Sequence, residues 1–146
     1  MVSIAIKKVV PHATLPKRMS QHAAGYDLYS ANETTQPLHP REIALVPTGI
    51  ALSIPHGYEA QIRPRSGLAA NYGIGVLNSP GTIDSDYRGE IKVILFNAGD
   101  KTFQLEPGTR IAQMVISQVN EIEFLLSEEL EETKRGSGGF GHTELK

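Results

Sequence analysis

A chain of 146 residues is long enough for one hydrophobic core and short for two, and 40% hydrophobic with 21% charged residues is an ordinary globular balance. A formal net charge of -2 argues against a sequence-independent nucleic-acid face, which needs a basic surface. With no cysteine, disulfides and thiolate metal sites are excluded, and no apolar run nears the ~20 residues of a membrane-spanning helix.

The first eight residues, Met1-Val2-Ser3-Ile4-Ala5-Ile6-Lys7-Lys8, alternate like a strand and meet charge too early for a signal peptide. We therefore expect a cytoplasmic protein with neither nucleic acid nor membrane as a partner. Fourteen glycines and nine prolines punctuate short runs of Val, Ile and Leu, and no long window shows helical periodicity. That pattern predicts an all-β sandwich or barrel. Strands are expected near Ile4 to Val9, Ala24 to Ser30, Arg41 to Pro47, Ile50 to Ser53 and Tyr58 to Pro64. Further strands are expected near Gly73 to Leu77, Ile91 to Asn97, Thr102 to Leu105 and Arg110 to Gln118. Turns fall at His56-Gly57, Ser79-Pro80-Gly81, Ala98-Gly99-Asp100 and Glu106-Pro107-Gly108, from their Gly, Pro and Asp content. Pro37, Pro40, Pro47 and Pro55 belong at strand ends or edges, where no ladder donor is required. One short helix is expected from Ser66 to Tyr72, with Ser66 as N-cap and Gly73 as the stop.

Three stretches carry chemistry. In Arg63-Pro64-Arg65-Ser66-Gly67-Leu68-Ala69-Ala70, a guanidinium, a hydroxyl and bare backbone meet at a strand-to-helix junction, an arrangement that suits an anion; a capped helix with exposed arginines explains the same residues. The stretch lacks the Lys-Ser or Lys-Thr pair of a P-loop, so phosphate binding must be assembled from separate loops. Gly81-Thr82-Ile83-Asp84-Ser85-Asp86-Tyr87-Arg88-Gly89-Glu90-Ile91 places two acids, an aromatic ring and two bounding glycines between apolar runs. It reads as a hairpin tip able to hold a planar ligand beside a base, or as a solvated turn. Past Val119 come six glutamates between Glu121 and Glu132, then Lys134-Arg135-Gly136-Ser137-Gly138-Gly139-Phe140-Gly141-His142-Thr143. That tail is either a disordered end or a flap that closes on a phosphorylated aromatic ligand.

Five separated boxes then come into register. They are Ala24-Gly25-Tyr26-Asp27-Leu28-Tyr29-Ser30-Ala31, Pro64-Arg65-Ser66-Gly67-Leu68-Ala69, Gly81 to Ile91, Gly108-Thr109-Arg110-Ile111-Ala112-Gln113-Met114-Val115 and Arg135 to Thr143. In order and content they resemble the five motifs of the trimeric deoxyuridine triphosphatases, across nearly the whole chain. The resemblance implies a jelly-roll-like β-clip fold that forms a homotrimer with the C-terminal arm exchanged between subunits. It divides the chain into a β domain over residues 1–134 and a Gly-rich closing tail over 135–146. It implies hydrolysis of dUTP to dUMP and pyrophosphate with Mg2+, which limits uracil incorporation into DNA and supplies dUMP for thymidylate synthesis.

Residue roles follow as expectations of that resemblance. Asp84 orients and deprotonates the attacking water, and Gln113 contacts phosphate and water, although Gln113 is also explained as the polar face of a strand. Arg65, Ser66 and Gly67 take the phosphates with Arg135, Ser137, Gly138, Gly141, His142 and Thr143 of the tail. Gly81, Thr82, Ile83, Ile91 and Lys92 line the base, Asn78 supplies an amide, Tyr87 lies under the sugar and Phe140 stacks on uracil. Uracil's acceptor–donor–acceptor edge suits a hairpin main chain, and cytosine would leave buried groups unpaired at roughly 1–3 kcal/mol each. Asp27 reaches Mg2+ through water at most, and Asp86 is assigned a structural role such as pairing with an arginine across the trimer. The related dCTP deaminases share the fold, and a nucleotide-binding module without catalysis is the non-enzymatic alternative; Asp84, Gln113, Arg135 and Phe140 favour hydrolysis.

Overall fold

Short apolar runs bounded by glycine and proline become the strands of this chain, and the longer ones among them alternate in burial. The computed structural model describes residues 2–139. It contains eleven strands and one helix among those residues. Two principal sheets carry the fold. The first is ordered β2 (Tyr26–Tyr29), β11 (Arg110–Gln118), β6 (Tyr58–Arg63), β8 (Gly81–Ile83); the second is β4 (Ile43–Pro47), β9 (Lys92–Asn97), β7 (Ile74–Val76). Two small pairs complete the architecture, β1 (Ala5–Lys8) with β5 (Ile50–Ser53), and β3 (Gln36–Leu38) with β10 (Phe103–Leu105). Every pairing is antiparallel. This is the nearly all-β fold that the strand pattern anticipates, in the jelly-roll-like form that the resemblance implies.

In β4 the sequence Ile-Ala-Leu-Val-Pro buries Ala44 and Val46 and turns Ile43 and Leu45 outward. In β9, Val93, Leu95 and Asn97 point inward from alternate positions. These residues meet Leu28, Ile62, Ala112 and Met114 of the first sheet in one continuous core. The polar member, Asn97, is fully satisfied: its amide donates to the carbonyls of Leu38 and Lys101, both at 2.9 Å, and its Oδ1 accepts the Gly99 N–H at 2.9 Å. Buried amides that bond in this way cost little and fix the loops they reach.

The helix α1 (Ser66–Tyr72) ends where Gly73 was expected to stop it, with Gly73 left-handed at φ 69° and its N–H returned to Ala69. Its start differs from expectation: Arg65 holds the N-cap position, no side chain caps the helix, and Ser66 is already helical. Two three-residue strands escape the sequence pattern. β3 carries Pro37 at its centre, tolerated because the β3–β10 ladder is two-stranded and leaves it an edge. Gly81, expected in a turn, opens β8 and pairs with Ile62 of β6. The hairpin between β7 and β9 thus makes an excursion to the other sheet before it returns.

Candidate active site

The excursion places Asp84 directly after β8, at the start of a turn closed by the Tyr87 N–H on the Asp84 carbonyl at 3.2 Å. Thr82, Ile83, Asp84, Tyr87, Glu90 and Lys92, with Leu45 from β4, line a cleft of about 310 Å³. Asp84 is exposed and has no cationic partner among the described residues, so its carboxylate is open to a ligand or a water. Tyr87 donates its hydroxyl to the Glu90 carbonyl at 3.0 Å. Asn78 sits in the turn after β7, its amide nitrogen close above Gly81.

Ile91 departs from its expected place in the base pocket. Its side chain is fully buried, its N–H donates to Ile50 O at 2.9 Å, and its carbonyl accepts both the N–H and the hydroxyl of Thr48. Both backbone groups are engaged in the body, so Ile91 anchors the hairpin and offers a ligand no free donor.

A second cluster lies on the polar face of the first sheet. Asp27 on β2, Gln113 on β11 and Arg63 on β6 occupy one cross-strand row. Asp27 is 14% exposed at its side chain, and its Oδ2 accepts from Arg110 Nη1 at 3.0 Å and lies 3.7 Å from Arg65 Nε. Arg65 Nη1 in turn donates to the Arg110 carbonyl at 2.9 Å, closing a ring of three residues. Gln113 donates to Pro64 O at 3.0 Å and leans on Gly25, where a Cβ would stand 2.5 Å from its Oε1. Ser66 and Gly67 stand exposed at the mouth of this group, in the first turn of α1, where backbone N–H groups lack intrahelical partners.

Arg110 is the residue that sequence reasoning missed. It stands three places before Gln113, which in a regular strand puts the two on opposite faces. A bulge between Arg110 and Ala112 shifts the register, so Arg110 faces Tyr29 while Gln113 faces Asp27. The signal lay within the fourth quoted box, but a bulge is not visible in residue periodicity.

Among the described residues, no three His, Asp or Glu side chains gather to form a metal cage. One carboxylate with two guanidiniums on the same oxygen fits, at most, an outer-shell contact to an ion carried by a polyphosphate. Arg135, Ser137 and Gly138 lie in a local turn, with Arg135 Nε donating to Gly138 O at 2.8 Å and the Gly136 N–H to Thr133 O at 3.0 Å. The expected contacts of Phe140, Gly141, His142 and Thr143 fall outside the described residues. No helix of the described residues is long and apolar enough to cross a membrane.

The dUTPase family model matches residues 11–144. The chain belongs to the dUTPase family. Curated relatives agree over nearly their full lengths: it is 61% identical over 129 residues to deoxyuridine 5'-triphosphate nucleotidohydrolase of Rickettsia bellii, covering 88% of this chain and 86% of that protein. Over 142 residues it is 51% identical to the enzyme of the same name from Syntrophotalea carbinolica, covering 97% of each. Among solved structures, the dUTPase of Staphylococcus bacteriophage 80alpha with dUPNHPP superposes at a TM-score of 0.88 and 28% identity, over 96% of this chain and 97% of that one. A mutant dUTPase from phage phi11 of S. aureus, described for the coordination of a structural Mg(II) ion, superposes at 0.80 with 26% identity, over 89% and 99% of the two chains. Membership makes this chain an enzyme of a metal-dependent family. It also fits the two clusters, one carrying an open carboxylate beside an aromatic ring and the other carrying guanidiniums.

Proposed function

We propose that the chain converts dUTP to dUMP and pyrophosphate at a site built from both clusters. The observation that carries this reading is the Asp84 carboxylate, without a cationic partner among the described residues, in the cleft beside Tyr87, in a member of the dUTPase family. Asp84 accepts a proton from a water whose oxygen bonds to the α-phosphorus. The bond from that phosphorus to the bridging oxygen breaks, and pyrophosphate leaves with the electron pair. General-base assistance contributes on the order of 10²- to 10⁴-fold, so charge stabilisation by fixed donors carries the remainder. Arg65, Ser66, Gly67 and Gln113 supply donors from one side, and Arg135, Ser137, Gly138, Gly141, His142 and Thr143 supply them from the tail. Mg2+ bound to the triphosphate would neutralise part of its charge, and Asp27 would contact it at most through water. Gly81, Thr82, Ile83 and Lys92 frame the base with Asn78, Tyr87 supports the sugar, and Phe140 covers the uracil.

The site is shared in a homotrimer. The cleft around Asp84 is lined by none of Arg65, Ser66, Gly67 or Gln113 of the same chain, which supports a phosphate group supplied by a neighbour. The arm also supports assembly: Ile122, Phe124, Leu125, Leu126 and Leu130 are exposed on the chain taken by itself, Phe124 by 89%. An apolar groove of about 550 Å³, bordered by Ile4, Ile6, Tyr58 and Ile116, offers a neighbour's arm somewhere to lie. On this reading, residues 1–134 form the β domain and 135–146 the closing tail, and a cytoplasmic enzyme acts on the deoxynucleotide pool. Pyrophosphate release measured against dUTP, UTP, dTTP and dCTP, with and without Mg2+, tests it. Strong preference for dUTP with Mg2+ is expected; equal rates on UTP or dCTP would contradict it.

A further inference from the structure

We infer that Gly89 and Glu90 are positioning residues that hold Tyr87 in the orientation that excludes ribose. The inference rests on the reading that Tyr87 supports the sugar. Gly89 does not have a left-handed backbone, so no positive φ calls for glycine there. The ring of Tyr87 is what requires glycine there: a Cβ on Gly89 would strike the Tyr87 hydroxyl oxygen, and would stand 2.5 Å from Cζ and 2.9 Å from Cε2. The ring therefore rests on the Gly89 backbone while remaining 45% exposed toward the cleft.

Its remaining torsional freedom is removed by the hydroxyl, which donates to the Glu90 carbonyl at 3.0 Å. That carbonyl is itself held in place. Glu90 Oε1 accepts the N–H of Gly49 at 2.9 Å, Oε2 lies 3.7 Å from Lys92 Nζ, and the next residue, Ile91, is bonded to Ile50. A half-exposed tyrosine would otherwise sample several rotamers, and a mobile ring is a poor barrier to one extra hydroxyl. With ring and carbonyl fixed before substrate arrives, the cost of ordering them is not charged against binding.

The test is the ratio of kcat/KM for dUTP to that for UTP, measured in the wild type, Gly89→Ala, Tyr87→Ala and the double variant, with Tm recorded for each. A pocket rejects an added hydroxyl by about 10²-fold, and Gly89→Ala should reduce that ratio about tenfold, chiefly through KM, at near wild-type Tm. In the Tyr87→Ala background the same change should do nothing further. Glu90→Ala should lower the ratio and Glu90→Gln should restore it, because the amide oxygen still accepts from Gly49. An unchanged ratio in Gly89→Ala, or an equal loss with and without Tyr87, overturns the inference. An unchanged ratio in Tyr87→Ala removes the sugar-supporting role of Tyr87 itself and the inference with it. Should Gly89→Ala fail to fold, Tyr87→Phe decides, since it keeps the ring and removes only the bond to Glu90: a lower ratio supports the lock and an unchanged one overturns it.

Discussion

From Arg110 to Gln118 the chain is tied into the first sheet, to β2 over Arg110 to Met114 and to β6 along six consecutive pairs from Gln113 onward. From Val119 onward it leaves that environment. Its last ties to the body are Val119 N–H to Gly57 O and His56 to Glu121, and the later hydrogen bonds of the described residues stay within the arm. Both stretches are rich in apolar residues, yet Ile111 and Ala112 are buried while Phe124 and Leu125 are 89% and 79% exposed. Composition alone does not separate them. What separates them is whether the same chain supplies a partner strand, and the arm's apolar side chains have a use only if another chain covers them.

The largest expected effect comes from removing the end of the arm. Ending the chain at residue 134 should leave the thermal transition near wild type and lower kcat for dUTP about 10²-fold or more, because the loss of a positioned charge donor costs that much. Near-normal turnover would show that body and arm are functionally separate. A sharper contrast comes from two leucines. Leu95→Ala, at a fully buried position, should cost about 2–5 kcal/mol by denaturation at any protein concentration. Leu126→Ala should matter only where chains associate, so its effect on Tm should depend on protein concentration. Concentration-independent behaviour of the wild type and of both variants would remove the arm's role in assembly.

The smallest effect concerns the body's own charges. Arg110→Ala deletes the 3.0 Å bond to Asp27 and loosens Arg65, at about 1.5–3 kcal/mol for a hydrogen bond to a charged group. It should raise KM for dUTP more than it lowers kcat, since on the proposed reading the arginine acts through Arg65, a donor to the phosphates. A pure loss of kcat with KM unchanged would place Arg110 in contact with the reacting atoms.

Much of this was legible in the residues. Short Val, Ile and Leu runs between glycines and prolines located nine of the strands to within a residue or two, and in β4 and β9 the inward positions Ala44, Val46, Val93 and Leu95 repeat with period two. The short strands β3 and β8 were not visible, since one centres on Pro37 and the other opens on Gly81, residues that ordinarily end strands. The candidate site residues were found through the quoted motifs, but two features needed coordinates. One is the bulge that turns Arg110 toward Asp27. The other is the pair of bonds that commits Ile91 to the body, which no property of an isoleucine in a hairpin announces.

The role of the open carboxylate at Asp84 is tested most directly by Asp84→Asn, an isosteric change that removes the proton acceptor and little else. Equilibrium binding of a non-hydrolysable dUTP analogue and single-turnover release of pyrophosphate should be measured on the same preparation with Mg2+ present. Binding within about threefold of wild type, with turnover lower by about 10²- to 10⁴-fold, is the expected result. Turnover at the wild-type rate with the asparagine in place would contradict the proton-accepting role.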